Sequence, residues 1–312
     1  MTNRRNFLKN SALIAASTLI AGKINPLSAK ATQPSPVSQG QKRIGLQFYS
    51  VMREIEKDIP SGLKQISAMG YTDIELAGFS GGNWGGYTLK QMKQAMNDVG
   101  LQVLSSHVNP PMHVYTASNK SQVMDYWKKT VEEHAAIDCP YLVQPGLPQT
   151  NSIEETKRVA EFFNGAGEIA QQAGLKWGYH NHDHEFAKVI SGGTKSAFGR
   201  REKGTAIYQI FMDETDAAKV LFEMDVYWAV MGQQDPLEWM RKYGNRIQLL
   251  HIKDRKVLGT SGMMNFKNIF DQHYANGNKD YFVELEGVGN GLTQMEGIMG
   301  CADYLKQASF AK

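Results

Sequence analysis

The chain has 312 residues, a formal net charge of +3 and two cysteines. Cys139 and Cys301 lie too far apart in sequence to form a CxxC pair, and a single pair is not a disulfide framework. A charge this close to neutral, with no stripe of lysine and arginine, suits a polyanion such as nucleic acid poorly.

The first segment reads as an export signal. Arg4 and Arg5 precede Asn6, Phe7, Leu8 and Lys9, an apolar run extends from Ser11 to Ala21, and small residues from Ser28 to Ala31 offer an A-x-A type cleavage site. This is the twin-arginine pattern, which predicts a periplasmic protein. The apolar run is too short to cross a hydrocarbon layer of about 30 Å, and no later segment is long and apolar enough, so no membrane partner is expected once the signal is removed. Residues 1–31 carry Arg4, Arg5, Lys9, Lys23 and Lys30 and no acidic residue, so taking five positive charges from +3 leaves −2 on the mature chain. Residues 32–41 form a Pro/Ser/Gln linker with nothing to bury. Residues 42–312 then have the length of one large α/β barrel or two smaller domains.

From Arg43 onward, β-prone runs alternate with amphipathic segments. Strands are predicted at 43–49, 72–77, 102–108, 141–146, 176–182, 220–225, 247–253 and 281–287. Helices are predicted at 58–69, 89–100, 121–138, 152–174, 236–243, 265–276 and 291–308, where apolar residues recur at three- and four-residue spacing. Ser152 and Glu155 have the spacing of a capping box, and Gly174 is a natural helix stop. Eight strands alternating with helices predict a single-domain (β/α)8 TIM barrel. A doubly wound sheet is the competing fold, but no GxGxxG turn follows the first strand, and GGNWGGY at 81–87 reads as a flexible loop. The least regular stretch, 186–206, is expected to cover the barrel mouth.

In such a barrel, functional groups gather where the strands end. The predicted ends carry Glu75, His107, Gln144, His180 with His182, Asp225, His251, and Glu284 with Glu286. Barrel interiors are normally filled with Val, Ile and Leu, and a buried charge is costly unless paired or bound to a metal. His180, His182 and His184 would share one face if they lay on one strand; if the strand breaks after His182, only the first two do. Strand parity places Leu249, His251 and Lys253 inward together, as it does Glu223 with Asp225 and Glu284 with Glu286. Imidazole with carboxylate suits Mn²⁺, Zn²⁺, Co²⁺ or Fe²⁺, with Mg²⁺ also admitted, better than Ca²⁺. Lys253 is expected to meet a substrate oxygen.

GLQFYSV (45–51), GYHNHDHEF (178–186), LLHIKD (249–254) and YFVELE (281–286) together resemble the xylose-isomerase-like barrel family, also called sugar phosphate isomerase/epimerase. The resemblance covers nearly the whole chain from Arg43. It implies one divalent metal held from the fifth to eighth strands, here by His180, Asp225, His251 and Glu284. It also implies that His182, Lys253, Glu286, Glu75 and His107 surround that ion or touch substrate. In the sugar epimerases of this family the fifth-strand ligand is usually a glutamate that also moves a proton, whereas His180 stands there in this chain.

The expected chemistry is proton abstraction next to a sugar carbonyl on a non-phosphorylated carbohydrate. Glu284 or a histidine (His180 or His182) would be the base, and Lys253 would stabilise the oxyanion. Reprotonation gives an isomerase or epimerase; loss of a β-leaving group gives a lyase, for example on a 3-keto-glycoside. A non-catalytic carbohydrate-binding protein and an endonuclease IV-like enzyme are the remaining classes, and a homo-oligomer is compatible with the chain.

Overall fold

The computed structural model describes residues 42–193, 203–289 and 291–312. The export segment 1–31, the linker 32–41 and residues 194–202 of the irregular loop lie outside the described residues. Eight parallel strands close into a barrel: β1 (Gly45–Gln47), β2 (Asp73–Leu76), β3 (Gln102–His107), β4 (Tyr141–Gln144), β5 (Lys176–His180), β6 (Val220–Asp225), β7 (Ile247–Ile252) and β8 (Tyr281–Val283). Each pairs with its neighbours in sequence, and β8 returns to β1 through Gly45↔Phe282 and Leu46↔Val283. This closure leaves no sheet edge and rules out the doubly wound alternative.

One principal helix follows each strand: α1 (Ile59–Ala68), α2 (Leu89–Asn97), α3 (Lys120–Ala135), α4 (Ile153–Gln172), α5 (Ile207–Glu214), α6 (Pro236–Lys242), α7 (Phe266–Ala275) and α8 (Gln294–Gln307). Seven of these match predicted spans; α5 is the one the sequence did not signal. Its N-cap is Ala206, which makes no side-chain hydrogen bond, so the usual polar start marker is missing. The capping box at α4 is only half built. Ser152 accepts the Glu155 N–H, but the Glu155 carboxylate accepts the Asn151 N–H at 2.8 Å instead of that of Ser152. Gly174, with φ +78°, ends α4 in the left-handed conformation expected of a helix stop. The loop at 81–87 forms a small hairpin, Asn83–Trp84 with Tyr87–Thr88, and Lys188–Val189 pairs with Thr205–Ala206 across the irregular stretch.

Strand alternation divides the interior into two cores. Outward residues such as Ile74, Met224, Leu250, Val283 and Leu285 join the large apolar layer beneath the helices. Inside, Val143, Leu221, Leu249 and Phe282 plug the lower barrel. Gly178 makes room for this plug, because a Cβ there would lie 2.5 Å from Leu221 Cδ1. Two residues further along three of these strands the inner face turns polar. Leu221 is followed by Glu223 and Asp225, Leu249 by His251 and Lys253, and Phe282 by Glu284 and Glu286. The apolar plug therefore acts as the floor on which the polar site stands. Cys139 and Cys301 are both buried free thiols, and burial pushes each up to about 12.

Candidate functional site

The histidine triplet divides at the end of β5. His180 closes the strand and is buried, His182 sits on the turn beyond it, and His184 enters the 3-10 turn His184–Phe186. The three therefore do not share a strand face. Glu185 supplies the physical reason: it is fully buried and accepts both the Tyr179 hydroxyl at 2.5 Å and the His182 N–H at 2.9 Å, which bends the chain out of the sheet. The rings of His182 and His184 stack at 5.4 Å. Asn181 ties this turn to β6, accepting the Asp225 N–H at 3.3 Å.

At the level of the strand ends, one ligand atom each from His180, Asp225, His251 and Glu284 lies within 4.8 Å of every other. Asp225 uses one carboxylate oxygen to cap the short helix Val226–Met231, accepting the Trp228 N–H at 2.9 Å. Its other oxygen is buried without a hydrogen-bond partner. His251 Nδ1 lies 3.2 Å from Glu284 Oε2. Ligand atoms around a tetrahedral zinc-like ion are about 3.3 Å apart, given metal–nitrogen bonds of about 2.0–2.1 Å. Two imidazoles and two carboxylates, one with a buried oxygen that makes no hydrogen bond and has only Lys253 Nζ at 3.9 Å, thus fit a divalent cation.

One layer deeper, the same residue types are arranged differently. His107 Nε2 is 2.6 Å from Glu223 Oε2 and 3.1 Å from Glu75 Oε1, and His251 Nε2 is 2.6 Å from Glu75 Oε1. Gln47 donates to Glu75 at 2.6 Å. Separations of 2.6 Å are hydrogen bonds and are too short for two ligands of one ion.

The charges follow from burial and neighbours. Burial and nearby His251 hold His180 well below its usual value, so it is neutral and free to donate a lone pair. Burial raises Asp225 to about 7, with Glu284 adding to the rise and Lys253 opposing it. Burial would also raise Glu284, but Lys253 and His251 outweigh it and hold this carboxyl well below the usual range. Burial opposes charge on His251, yet Glu223 and Glu75 lift it well above its ordinary value. Burial, reinforced by His184, lowers His182 to about 3. Without an ion, protonated His251 and Lys253 supply the positive charge that a divalent cation would bring, so binding should release protons.

Above the site lies a cavity of about 700 Å³, with His107, His180, His182, Glu284 and Glu286 on its floor. One wall is formed by Tyr49, Met52 and Trp84, the other by Asn109, Pro145 and Gly146. Asp225 and His251 lie beneath the floor, fully buried. Glu75, expected to bind substrate, is fully buried in the deeper layer and does not reach the cavity. Lys253, expected to meet a substrate oxygen, is 2% exposed; its Nζ lies 3.0 Å from Glu284 and 2.5 Å from Glu286, over the ring of Trp228. Those carboxylates hold it, and it is absent from the cavity wall. Gln144, at a predicted strand end, turns away to Tyr115 and Gly146. Glu223, Gln47, Asn181 and Trp84 received no role from the sequence. Inward parity was the available signal for Glu223 and Gln47, whereas Asn181 and Trp84 sit on turns with no periodicity.

Relatives of this chain are found among proteins of known structure and sequence. A sugar phosphate isomerase/epimerase from Parabacteroides distasonis ATCC 8503, known from its crystal structure, is 44% identical, with a TM-score of 0.82 over 90% of this chain and 99% of that one. The 3-keto-D-glucoside 4-epimerase of E. coli is 16% identical, with a TM-score of 0.64 over 86% of this chain and 100% of that one, which is a likeness of fold. An inosose dehydratase of Clostridium perfringens is 32% identical over 101 residues, which is 32% of this chain and 29% of that protein. The chain thus matches less than a third of the length of those curated relatives. Residues 63–299 match the family described as xylose isomerase-like TIM barrel, and the chain belongs to that family.

Proposed function

We propose that the protein is a divalent-metal-dependent isomerase or epimerase that removes a proton from the carbon beside a sugar carbonyl and returns it. The observation that carries this reading is the convergence of His180, Asp225, His251 and Glu284 under a cavity floor that also holds neutral His182. A bound ion would act as a Lewis acid toward the carbonyl and an adjacent hydroxyl. His182 is the base in this reading because it borders the cavity and stands outside the four-residue ligand set, although burial, which lowers it to about 3, weakens it as a base. Glu284 is committed to His251 and Lys253. The C–H bond breaks, the proton passes to His182, and the electron pair moves onto the carbonyl oxygen. Return of the proton from His182 to the neighbouring carbon completes an isomerisation. An epimerisation at the same carbon needs a second acid on the opposite face to supply the proton, and Glu286 is the other carboxyl, besides the committed Glu284, on the cavity floor. Lys253 keeps Glu284 and Glu286 in place throughout.

The substrate in this reading is not phosphorylated. Among the described residues lining the cavity, Arg53 is the only lysine or arginine, and Glu56 lines the cavity with it. The reading includes export by the twin-arginine route, which carries folded, metal-loaded proteins out of a compartment where sugar phosphates are concentrated. Replacing Arg4 and Arg5 by lysine should leave the protein in the cytoplasm; unchanged periplasmic recovery would count against export by this route.

A lyase is the second reading. Two observations favour it: an imidazole stands on β5 where a second carboxylate is usual, and the partial relatives are named dehydratases. NMR in D₂O on free ketoses and 3-keto-glycosides, with and without chelator, separates the two. Metal-dependent deuterium uptake beside the carbonyl, with any glycosidic bond intact, supports the isomerase or epimerase. Metal-dependent release of the aglycone with a new unsaturated sugar supports the lyase. Neither change on any carbonyl sugar would sink both.

A further inference from the structure

We propose that Glu223 is the positioning residue of the metal centre, contacting the two histidine ligands by opposite nitrogens and so fixing, directly for His180 and together with Glu75 for His251, which nitrogen faces the ion. This rests on the metal-dependent reading above. Glu223 is fully buried, and three imidazoles surround a single oxygen of its carboxylate. Its Oε2 lies 2.6 Å from His107 Nε2, 3.2 Å from His180 Nδ1 and 3.2 Å from His251 Nε2.

A neutral imidazole carries one N–H, and a carboxylate beside one ring nitrogen draws the proton there. For His180 this places the proton on Nδ1 and leaves the Nε2 lone pair for an ion. For His251 the carboxylates of Glu223 and Glu284 lie equally far, 3.2 Å, from Nε2 and Nδ1, and Glu75, 2.6 Å from Nε2, tips the balance: the proton sits on Nε2, on the side of Glu223 and Glu75, and Nδ1 is left for an ion. Glu223 thus selects the tautomer of His180 by a direct hydrogen bond and, with Glu75, backs the opposite tautomer of His251, in two rings whose centroids are 4.3 Å apart. Histidine ligands generally donate their second N–H to such a partner, which fixes ring orientation and raises ligand basicity. A leucine of similar volume would fill the same space without selecting a nitrogen.

The deeper layer is built to hold Glu223 still. His107 bridges it to Glu75 and stacks on His251 with 14° between ring planes, while Gln47 fixes Glu75 from β1. Every member is a side chain on a barrel strand or its end, so the rigidity of the sheet passes directly to the ligands.

The test is metal affinity, which does not depend on knowing the substrate. Dissociation constants for Co²⁺ and Zn²⁺ are measured by competition with a chromogenic chelator for the wild-type protein, Glu223→Gln and Glu75→Gln. Glu223→Gln is expected to weaken binding by about 10–100-fold and to shift the visible absorption bands of the Co²⁺-loaded protein. Glu75→Gln, which touches only His251 of the two ligands, is expected to weaken it less. A second measurement needs no variant. Long-range ¹H–¹⁵N correlations of the Zn²⁺-loaded wild-type protein should show zinc on Nε2 of His180 and Nδ1 of His251. Unchanged affinity in folded Glu223→Gln, or zinc on the opposite nitrogens, overturns the proposal and leaves the metal-dependent function standing. A wild-type protein that binds neither ion overturns both.

Discussion

A buried carboxylate among imidazoles is stable only when the protons are shared correctly, and the residues at the floor of this barrel differ in which proton they hold. His251 and Asp225 are fully buried, and neither can reach substrate. His251→Ala and Asp225→Ala are therefore expected to lose metal binding and activity together, measured as metal content after dialysis and as turnover. His182 lies outside the ligand set and borders the cavity. His182→Asn should lower kcat by about 10²–10⁴-fold, the usual range for removing a general base, while metal affinity stays at the wild-type value. A parallel loss of metal would instead make His182 a ligand and sink its role as base.

Among the elements, the turn after β2 has the most to do with what the cavity admits. Phe79–Gly81 and the hairpin beyond it bring Trp84 to the wall, where Phe48 meets it edge-on at a centroid distance of 5.2 Å. Gly78 permits this closure: its φ is +81°, and a Cβ would lie 2.5 Å from Met52 Cε and 3.1 Å from Trp84 Cδ1. The methionine end can yield, so the cost of Gly78→Ala is chiefly the left-handed backbone, about 1–2 kcal/mol, readable as a lower Tm. Trp84→Ala should raise KM by about tenfold, equivalent to about 1.4 kcal/mol, with kcat little changed. An unaltered KM would mean that substrate does not rest on this wall. On the helical side, His134 of α3 pins helix to strand, with Nδ1 2.7 Å from the Thr130 carbonyl and Nε2 3.0 Å from the Ser106 hydroxyl of β3.

For the whole molecule, stability should depend on both pH and metal. Burial lowers His134 to about 4, against an ordinary value near 6.5. Below about pH 6.5 the unfolded chain gains a proton that the folded chain refuses, so stability is present above that pH and falls as pH drops toward 4. The contribution of this residue is at most about 3 kcal/mol. Urea unfolding across this range should show the slope, and His134→Gln should flatten it. An ion that binds only the folded barrel adds about 2.7 kcal/mol at a hundredfold excess over its Kd. Chelator should then lower the Tm of the wild-type protein and leave that of His251→Ala unmoved.

Much of this architecture was legible along the chain, because period-2 and period-3.6 patterns are local. All eight strands appeared as β-prone runs, and inward parity correctly grouped Leu249 with His251 and Glu284 with Glu286. α5 escaped because its start carries no polar cap. The sequence by itself determined the barrel, the polar strand ends and a ligand-type residue at nearly every one of them. Only the closed barrel decided how those residues divide. Residues four strands apart, such as Glu223 and Glu75, become neighbours of one histidine through barrel closure alone. Whether Lys253 meets substrate or two carboxylates depends on side chains from β7 and β8 meeting in space, a relation that no local period contains.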